Sequence, residues 1–85
     1  MDPQLHSLKM ASVDADQFES VGYNDTARML YIKFRNAPPL RFEGVPRFRY
    51  QGLLSAPRKD AYFKTFIKDQ FLSRSVELPP PSAKR

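Results

Sequence analysis

Residues 41–54, RFEGVPRFRYQGLL, change their pattern at a central Gly-Val-Pro and thereby indicate the fold of the chain. Before the glycine, Phe42 stands between two charged residues, which is the alternation of a strand with one buried face. After it, Pro46 suits the first position of a helix, because its missing N–H would have no partner there and its φ is already set. A helix from Pro46 to about Leu54 would bury Tyr50, Leu53 and Leu54. The stretch therefore predicts a strand that leads directly into a helix.

Two further strands are predicted upstream. Residues 27–36, ARMLYIKFRN, alternate strictly: Leu30, Ile32 and Phe34 would share a buried face, and Tyr31 would lie on the other. Residues 18–25, FESVGYND, indicate a strand that runs into an Asn-Asp turn. Short connections between successive strands, including the third at residues 40–44, are typical of an antiparallel meander.

A second helix is predicted downstream. Pro57 ends the first helix, and Asp60 is a good N-cap for residues 61–72, AYFKTFIKDQFL. In this segment Phe63, Phe66, Ile67 and Phe71 recur at helical spacing as one apolar stripe. The predicted fold class is α+β: a three-stranded antiparallel meander followed by two helices packed on one face (β-β-β-α-α), with the other face in solvent.

Length and composition favour one small domain. The chain has 85 residues and no cysteine, so packing of its eleven Phe and Tyr rings must supply the stability. We expect a folded part at residues 13–73, a flexible N-terminal arm at 1–12 and a disordered proline-rich tail at 74–85. No apolar run is long enough to span a bilayer, and the N-terminus lacks a secretory signal pattern. A soluble, cytoplasmic monomer is expected.

Positive charge is concentrated in the middle of the chain. Residues 1–27 carry five acids against one Lys, whereas residues 28–74 carry eleven Lys and Arg against three acids, within a net charge of +5. Such a segment attracts polyanions or an acidic protein surface through long-range electrostatics. The alternative is a charged surface that serves only solubility.

Catalysis is poorly supported by the sequence. The single histidine, His6, lies in the predicted arm, and no serine can be paired with a nearby base. Asp14 and Asp16 could touch Mg²⁺ weakly, but a solvated turn is the better interpretation of two carboxylates at this spacing. We therefore predict a non-catalytic protein with no cofactor and no metal site.

Nucleic-acid binding, with RNA favoured over DNA, is the leading hypothesis. Basic side chains would contact phosphates without reading sequence, and an exposed Tyr31, Phe48 or Tyr62 could stack on a base of a single strand. The competing hypothesis is a protein-interaction module that docks on an acidic partner, where Arg and aromatic residues are also favoured. The predicted binding residues under either hypothesis are Arg35, Arg41, Arg47, Arg49, Arg58, Lys59, Lys64, Lys68 and Tyr31.

Four short segments carry a resemblance to a known family. VGYND (21–25), LYIKF (30–34), LRFEGVP (40–46) and APRKDAYFKTFI (56–67) occur in the order and at the spacing of the KTSC domain, which the chain resembles over about residues 10–73. That domain is named for its occurrence at the C-terminus of some lysyl-tRNA synthetases and is also found as a free-standing small bacterial or phage protein. The resemblance implies RNA binding by association with the synthetase.

The chain departs from the family pattern at three places. A Tyr-x-Tyr in the third strand is replaced by Leu40, Arg41 and Phe42, so both hydroxyls are lost. Residues 58–60, RKD, stand where the family tends to have Ser-x-Gly, and Lys64 stands where Asn is common. These changes favour positive charge or packing over any site that depends on hydroxyl groups.

Overall fold

The chain folds as an antiparallel sheet with two helices on one face, in a computed structural model that describes residues 10–76. The strands follow one another across the sheet in chain order. The elements are β1 (Met10–Ser12), β2 (Phe18–Asn24), β3 (Met29–Phe34), β4 (Leu40–Glu43), α1 (Arg47–Ser55), α2 (Lys59–Phe63), a π-helical segment (Lys64–Lys68) and β5 (Ser73–Ser75). The predicted α+β class and the antiparallel meander are confirmed.

The prediction of three strands is wrong, because the described residues form five. β1 pairs with β2, and β5 pairs with β4, so the two added strands are the edges of the sheet. Each has three residues and no hydrophobic alternation, which leaves no periodic signal to detect. Met10–Ser12 and Ser73–Ser75 extend the sheet beyond the predicted boundaries at 13 and 73, while residues 1–9 and 77–85 of the predicted arm and tail lie outside the described residues.

The core lies between the sheet and the helices. Leu30, Ile32 and Phe42 are buried there as the alternation predicts, and Leu53 of α1 packs against the same cluster. Phe63 of α2 is the aromatic centre of this core. Its ring makes edge-to-face contacts, with centroids 5.5–5.8 Å apart, with Phe18, Phe34 and Phe42.

A stacked tyrosine pair joins the sheet to α1. The rings of Tyr23 and Tyr50 are 5.0 Å apart and nearly parallel, and the Tyr23 hydroxyl donates a hydrogen bond to the carbonyl of Val45 at 2.6 Å. Pro46 lies immediately before the helix as its cap residue rather than in its first turn. The predicted helix at 46–54 is therefore shifted by one residue.

The second helix differs from its prediction in two respects. It begins at Lys59 and changes to π geometry at Lys64 instead of continuing as an α-helix to residue 72. Asp60 does not cap this helix: its carboxylate accepts hydrogen bonds from the backbone N–H groups of Asp16 and Gln17, at 2.7 and 2.9 Å. Asp60 thus fastens the loop before β2 to the start of α2.

Candidate nucleic-acid interface

Four cations on or next to the sheet form ion pairs with two glutamates. Lys33 lies 3.1 Å and Arg35 4.0 Å from the Glu19 carboxylate on β2. Glu43 accepts hydrogen bonds from both Arg41 on its own strand, at 3.0 Å, and Arg74 on β5, at 2.9 Å. The register brings Arg41 and Arg74 side by side, so both can reach the same carboxylate. All four cations are thus held in ion pairs, although the two carboxylates balance only half of their charge.

The first arginine of α1 is paired as well. Arg47 forms an ion pair and hydrogen bond with Asp25 in the turn after β2. The Asn24 side chain supports this turn by accepting a hydrogen bond from the Ala27 N–H at 3.1 Å. Of the predicted binding residues, Arg35, Arg41 and Arg47 are thus engaged with acids of the same chain.

Tyr31 does not lie in solvent, and the expectation that its ring is exposed is wrong. Only 2% of its surface is accessible, although its strand position faces away from the helices and it is not part of the core cluster. It lies between Gly22 and Arg41 in the sheet register, and the Nε of Arg41 is also buried, with no hydrogen-bond partner in the described part of the chain. The ring cannot stack on a base unless the sheet surface rearranges.

The remaining cations of the predicted binding set lie on the helical side. Among residues 10–76, Arg49, Arg58, Lys64 and Lys68 form no ion pair, and Lys59 donates a hydrogen bond to the Ala56 carbonyl at 2.9 Å. Lys64 and Lys68 are exposed and one turn apart, so they point from the same flank of the helix. The eight predicted cations therefore divide into three that are paired with an acid and five that form no ion pair within residues 10–76.

An aromatic cluster accompanies Arg49. Its guanidinium carbon is 5.0 Å from the ring centroid of Phe48 and 4.7 Å from that of Phe66 in the π segment. Phe66 also contacts Tyr62, at 4.8 Å between centroids. Phe48 is 61% and Phe66 38% exposed. Of the rings predicted to be exposed, Phe48 lies in solvent, whereas Tyr62 is half-buried and packs against the core. Phe66, predicted to lie in the buried stripe, is exposed.

The π segment explains the position of Phe66. Phe63 and Ile67 take the buried positions, which leaves Phe66 on a flank of the helix. Lys64 and Lys68 are each two residues from Phe66, about half a turn, and so lie on the opposite flank. The helical side thus presents aromatic rings next to α1 and lysines on the side away from it.

Two open concavities border the helical side. One, of about 540 Å³, has a mainly apolar lining that includes Phe34, Phe42 and Phe63, with Lys68 at its rim. The other, of about 380 Å³, lies where the loop carrying Asp14 and Asp16 faces Arg58 and Lys59. Asp14 and Asp16 are part of a turn held by Asp60, in line with the interpretation as a turn.

Burial changes the acid–base properties of the tyrosine pair. It raises the pKa of Tyr23, with a smaller contribution from the Asp25 carboxylate, and it also raises the pKa of Tyr50.

No three His, Cys, Asp or Glu side chains between residues 10 and 76 are grouped so as to hold a metal ion. None of the helices in this range combines the length and apolarity needed to cross a bilayer.

Comparison with known proteins identifies the family. The KTSC domain model matches residues 15–71, which is most of the chain. The chain belongs to the KTSC domain family. The crystal structure of a KTSC domain protein from Yersinia pestis is similar to this KTSC domain, with a TM-score of 0.81 and 32% sequence identity over 84% of this chain and 100% of that one. No curated protein matches it. The resemblance to the KTSC family is thus confirmed.

Proposed function

We propose that this KTSC domain is a non-catalytic module that binds nucleic acid through the cations of its helical side. The observation that carries the proposal is the division of charge. Lys33, Arg35, Arg41, Arg47 and Arg74 each have a carboxylate partner, whereas Arg49, Arg58, Lys64 and Lys68 have none among the described residues. An ion pair weakens the attraction of a cation for a polyanion and holds its side chain in place, so we expect the four cations without an ion pair to be the first to contact phosphate.

Phosphate contacts from such cations would give affinity with little sequence selectivity. A single strand that contacted four of them would lose about 50-fold in affinity between about 50 and about 200 mM salt, because each contact contributes about 0.7 to the slope of log affinity against log salt. We favour RNA over DNA because of the association of KTSC domains with lysyl-tRNA synthetases. If its partner is nucleic acid, we expect the protein to act in the cytoplasm.

Fluorescence anisotropy with a labelled short RNA, at a series of salt concentrations, tests the proposal. The informative variant is Lys64→Gln/Lys68→Gln. The matched control is Lys33→Gln/Arg74→Gln, which removes the same net charge from two cations that are paired with glutamates. We expect the first variant to reduce the affinity and to flatten the salt slope by about 1.4, while the control keeps the slope of the unmodified protein.

Equal losses in the two variants would mean that net charge alone drives the attraction, and would remove the helical side as the binding surface. An absence of binding to RNA and DNA at low salt would remove the nucleic-acid proposal altogether. The Arg and aromatic residues of the helical side would then favour the alternative, docking on an acidic protein surface.

A further inference from the structure

Two rings of the aromatic cluster on the helical side, Phe48 and Phe66, are not part of the hydrophobic core. Phe48 keeps 61% of its surface in water and Phe66 keeps 38%, although both have the guanidinium of Arg49 against their rings. An exposed cation–π contact contributes about 0.5–1 kcal/mol, which is less than the 1.5–3 kcal/mol that full burial of such a side chain provides. The chain therefore leaves apolar ring surface in solvent beside Arg49, which forms no ion pair within residues 10–76.

This arrangement fits one class of partner best. A nucleobase offers a flat π surface that stacks on an aromatic ring whatever its identity, and its phosphates need cations within reach of the same surface. Bases in a duplex already stack on one another, so an exposed ring gains contact only with unpaired bases. The planar guanidinium of Arg49 can also stack on a base or contact a phosphate.

Resting on the proposed function, we propose that Phe48, Arg49 and Phe66 form a stacking site for unpaired nucleobases, so that single-stranded nucleic acid is the preferred partner. In this arrangement the rings contact bases, while Lys64 and Lys68 on the opposite flank contact phosphates. The guanidinium of Arg49 lies against both rings, which belong to α1 and to the π segment. The outward position of Phe66, which depends on the π segment, completes the site.

The central variant is Phe48→Ala, because Phe48 is the more exposed ring and its truncation should leave the fold intact. The matched control is Leu72→Ala, which removes an apolar side chain that is also 61% exposed. We expect Phe48→Ala to weaken binding of a short single-stranded RNA by about 5- to 150-fold, with no change for a duplex of the same sequence. The salt slope should not change, since no phosphate contact is lost, and Leu72→Ala should bind like the unmodified protein.

A direct readout is available because the chain has no tryptophan. In Phe48→Trp, one indole reports on this position alone. We expect its fluorescence to change when single-stranded RNA is added, and to be unaffected by the duplex.

The outcomes separate this inference from the proposed function. If the single strand binds with the expected salt slope but Phe48→Ala has no effect, or weakens the duplex equally, the stacking site is wrong and phosphate binding stands. If neither nucleic acid binds the unmodified protein, both proposals fail. A single-strand preference that is lost in Phe48→Ala and kept in Phe48→Trp supports the stacking site.

Discussion

At the level of single residues, the partner of each cation decides which part of the surface is positive. The basic segment is visible in the sequence, but the sequence does not show that Glu43 pairs with both Arg41 and Arg74, or that Asp25 pairs with Arg47. These pairs join residues up to 31 positions apart. They depend on strand register and on turn geometry, which alternating residues do not specify alone.

Tyr31 illustrates a second limit at this scale. The period-2 pattern placed it correctly on the face opposite the helices, yet its ring is almost completely buried. Alternation tells which side of a sheet a residue occupies. It does not tell whether that side is open to solvent.

The tyrosine pair provides a prediction about pH. Because burial raises the pKa of Tyr23 in the folded state, its neutral form is favoured there, and its contribution to stability is fully present below the unfolded-state pKa of about 10. That contribution is lost as the pH rises through the folded-state pKa, since the unfolded chain then releases a proton that the folded chain retains. We expect the free energy of unfolding to fall more steeply above about pH 10 in the unmodified protein than in Tyr23→Phe.

Urea unfolding at several pH values between neutral and alkaline measures this difference. At neutral pH, Tyr23→Phe should be less stable by about 1 kcal/mol, because the hydrogen bond to the Val45 carbonyl is lost. Parallel curves for the two proteins over the alkaline range would contradict a raised pKa at this residue.

At the level of elements, prediction succeeded where the hydrophobic period was strong. β2, β3 and β4 have clear alternation or turn signals, and Pro46 and Pro57 lie just before the two helices. The π segment was missed because its sequence also fits a regular α-helix. Only packing of Phe63 and Ile67 against the sheet shows which residues of the apolar stripe are buried and that Phe66 is not.

The close approach of α1 and α2 gives a prediction about helix packing. A Cβ added at Gly52 would lie 2.2 Å from the hydroxyl oxygen of Tyr62 and 2.7 Å from Cζ of its ring. Alanine in a helix interior normally stabilises by about 1 kcal/mol relative to glycine, but here the ring would be displaced at a cost of about 1–3 kcal/mol. We expect Gly52→Ala to destabilise the unmodified protein and to stabilise a Tyr62→Ala background.

Urea unfolding of the four proteins of this double-mutant cycle measures the reversal of sign. The same sign of the Gly52→Ala effect in both backgrounds would show that the tyrosine ring is not what limits the helix approach. Loss of affinity for single strands in Gly52→Ala would further connect this packing to Phe66, which contacts the Tyr62 ring.

At the level of the whole molecule, the fold separates two kinds of surface. Cations on or next to the sheet are held in ion pairs with acids of the same chain. The helical side presents cations without an ion pair among residues 10–76, together with exposed aromatic rings. Composition alone shows the basic segment, without a structure. The choice of the binding side needs the structure. The four candidate cations Arg49, Arg58, Lys64 and Lys68 and the exposed Phe66 can be placed only when strands and helices are packed together.

The strand order leads to a prediction about local stability across the molecule. Within residues 10–76, β3 is the central strand and is bonded to neighbours on both sides, whereas β1 and β5 are three-residue edges. Leu30 and Ile32 of β3 are fully buried, while all of β5 is exposed. Opening β5 therefore exposes little apolar surface, but opening β3 destroys the core.

Native-state amide hydrogen exchange, measured by NMR, resolves the strands. We expect the slowest amides of β3 to exchange with a free energy equal to that of global unfolding from urea titration, and those of β5 to exchange through a local opening of much lower free energy. Arg74→Ala, which removes the contact to Glu43, should accelerate exchange in β5 and leave β3 unchanged apart from any global effect. Equal protection of β3 and β5 would instead mean that the edge strand unfolds only with the core, so that β5 is an integral part of one cooperative unit.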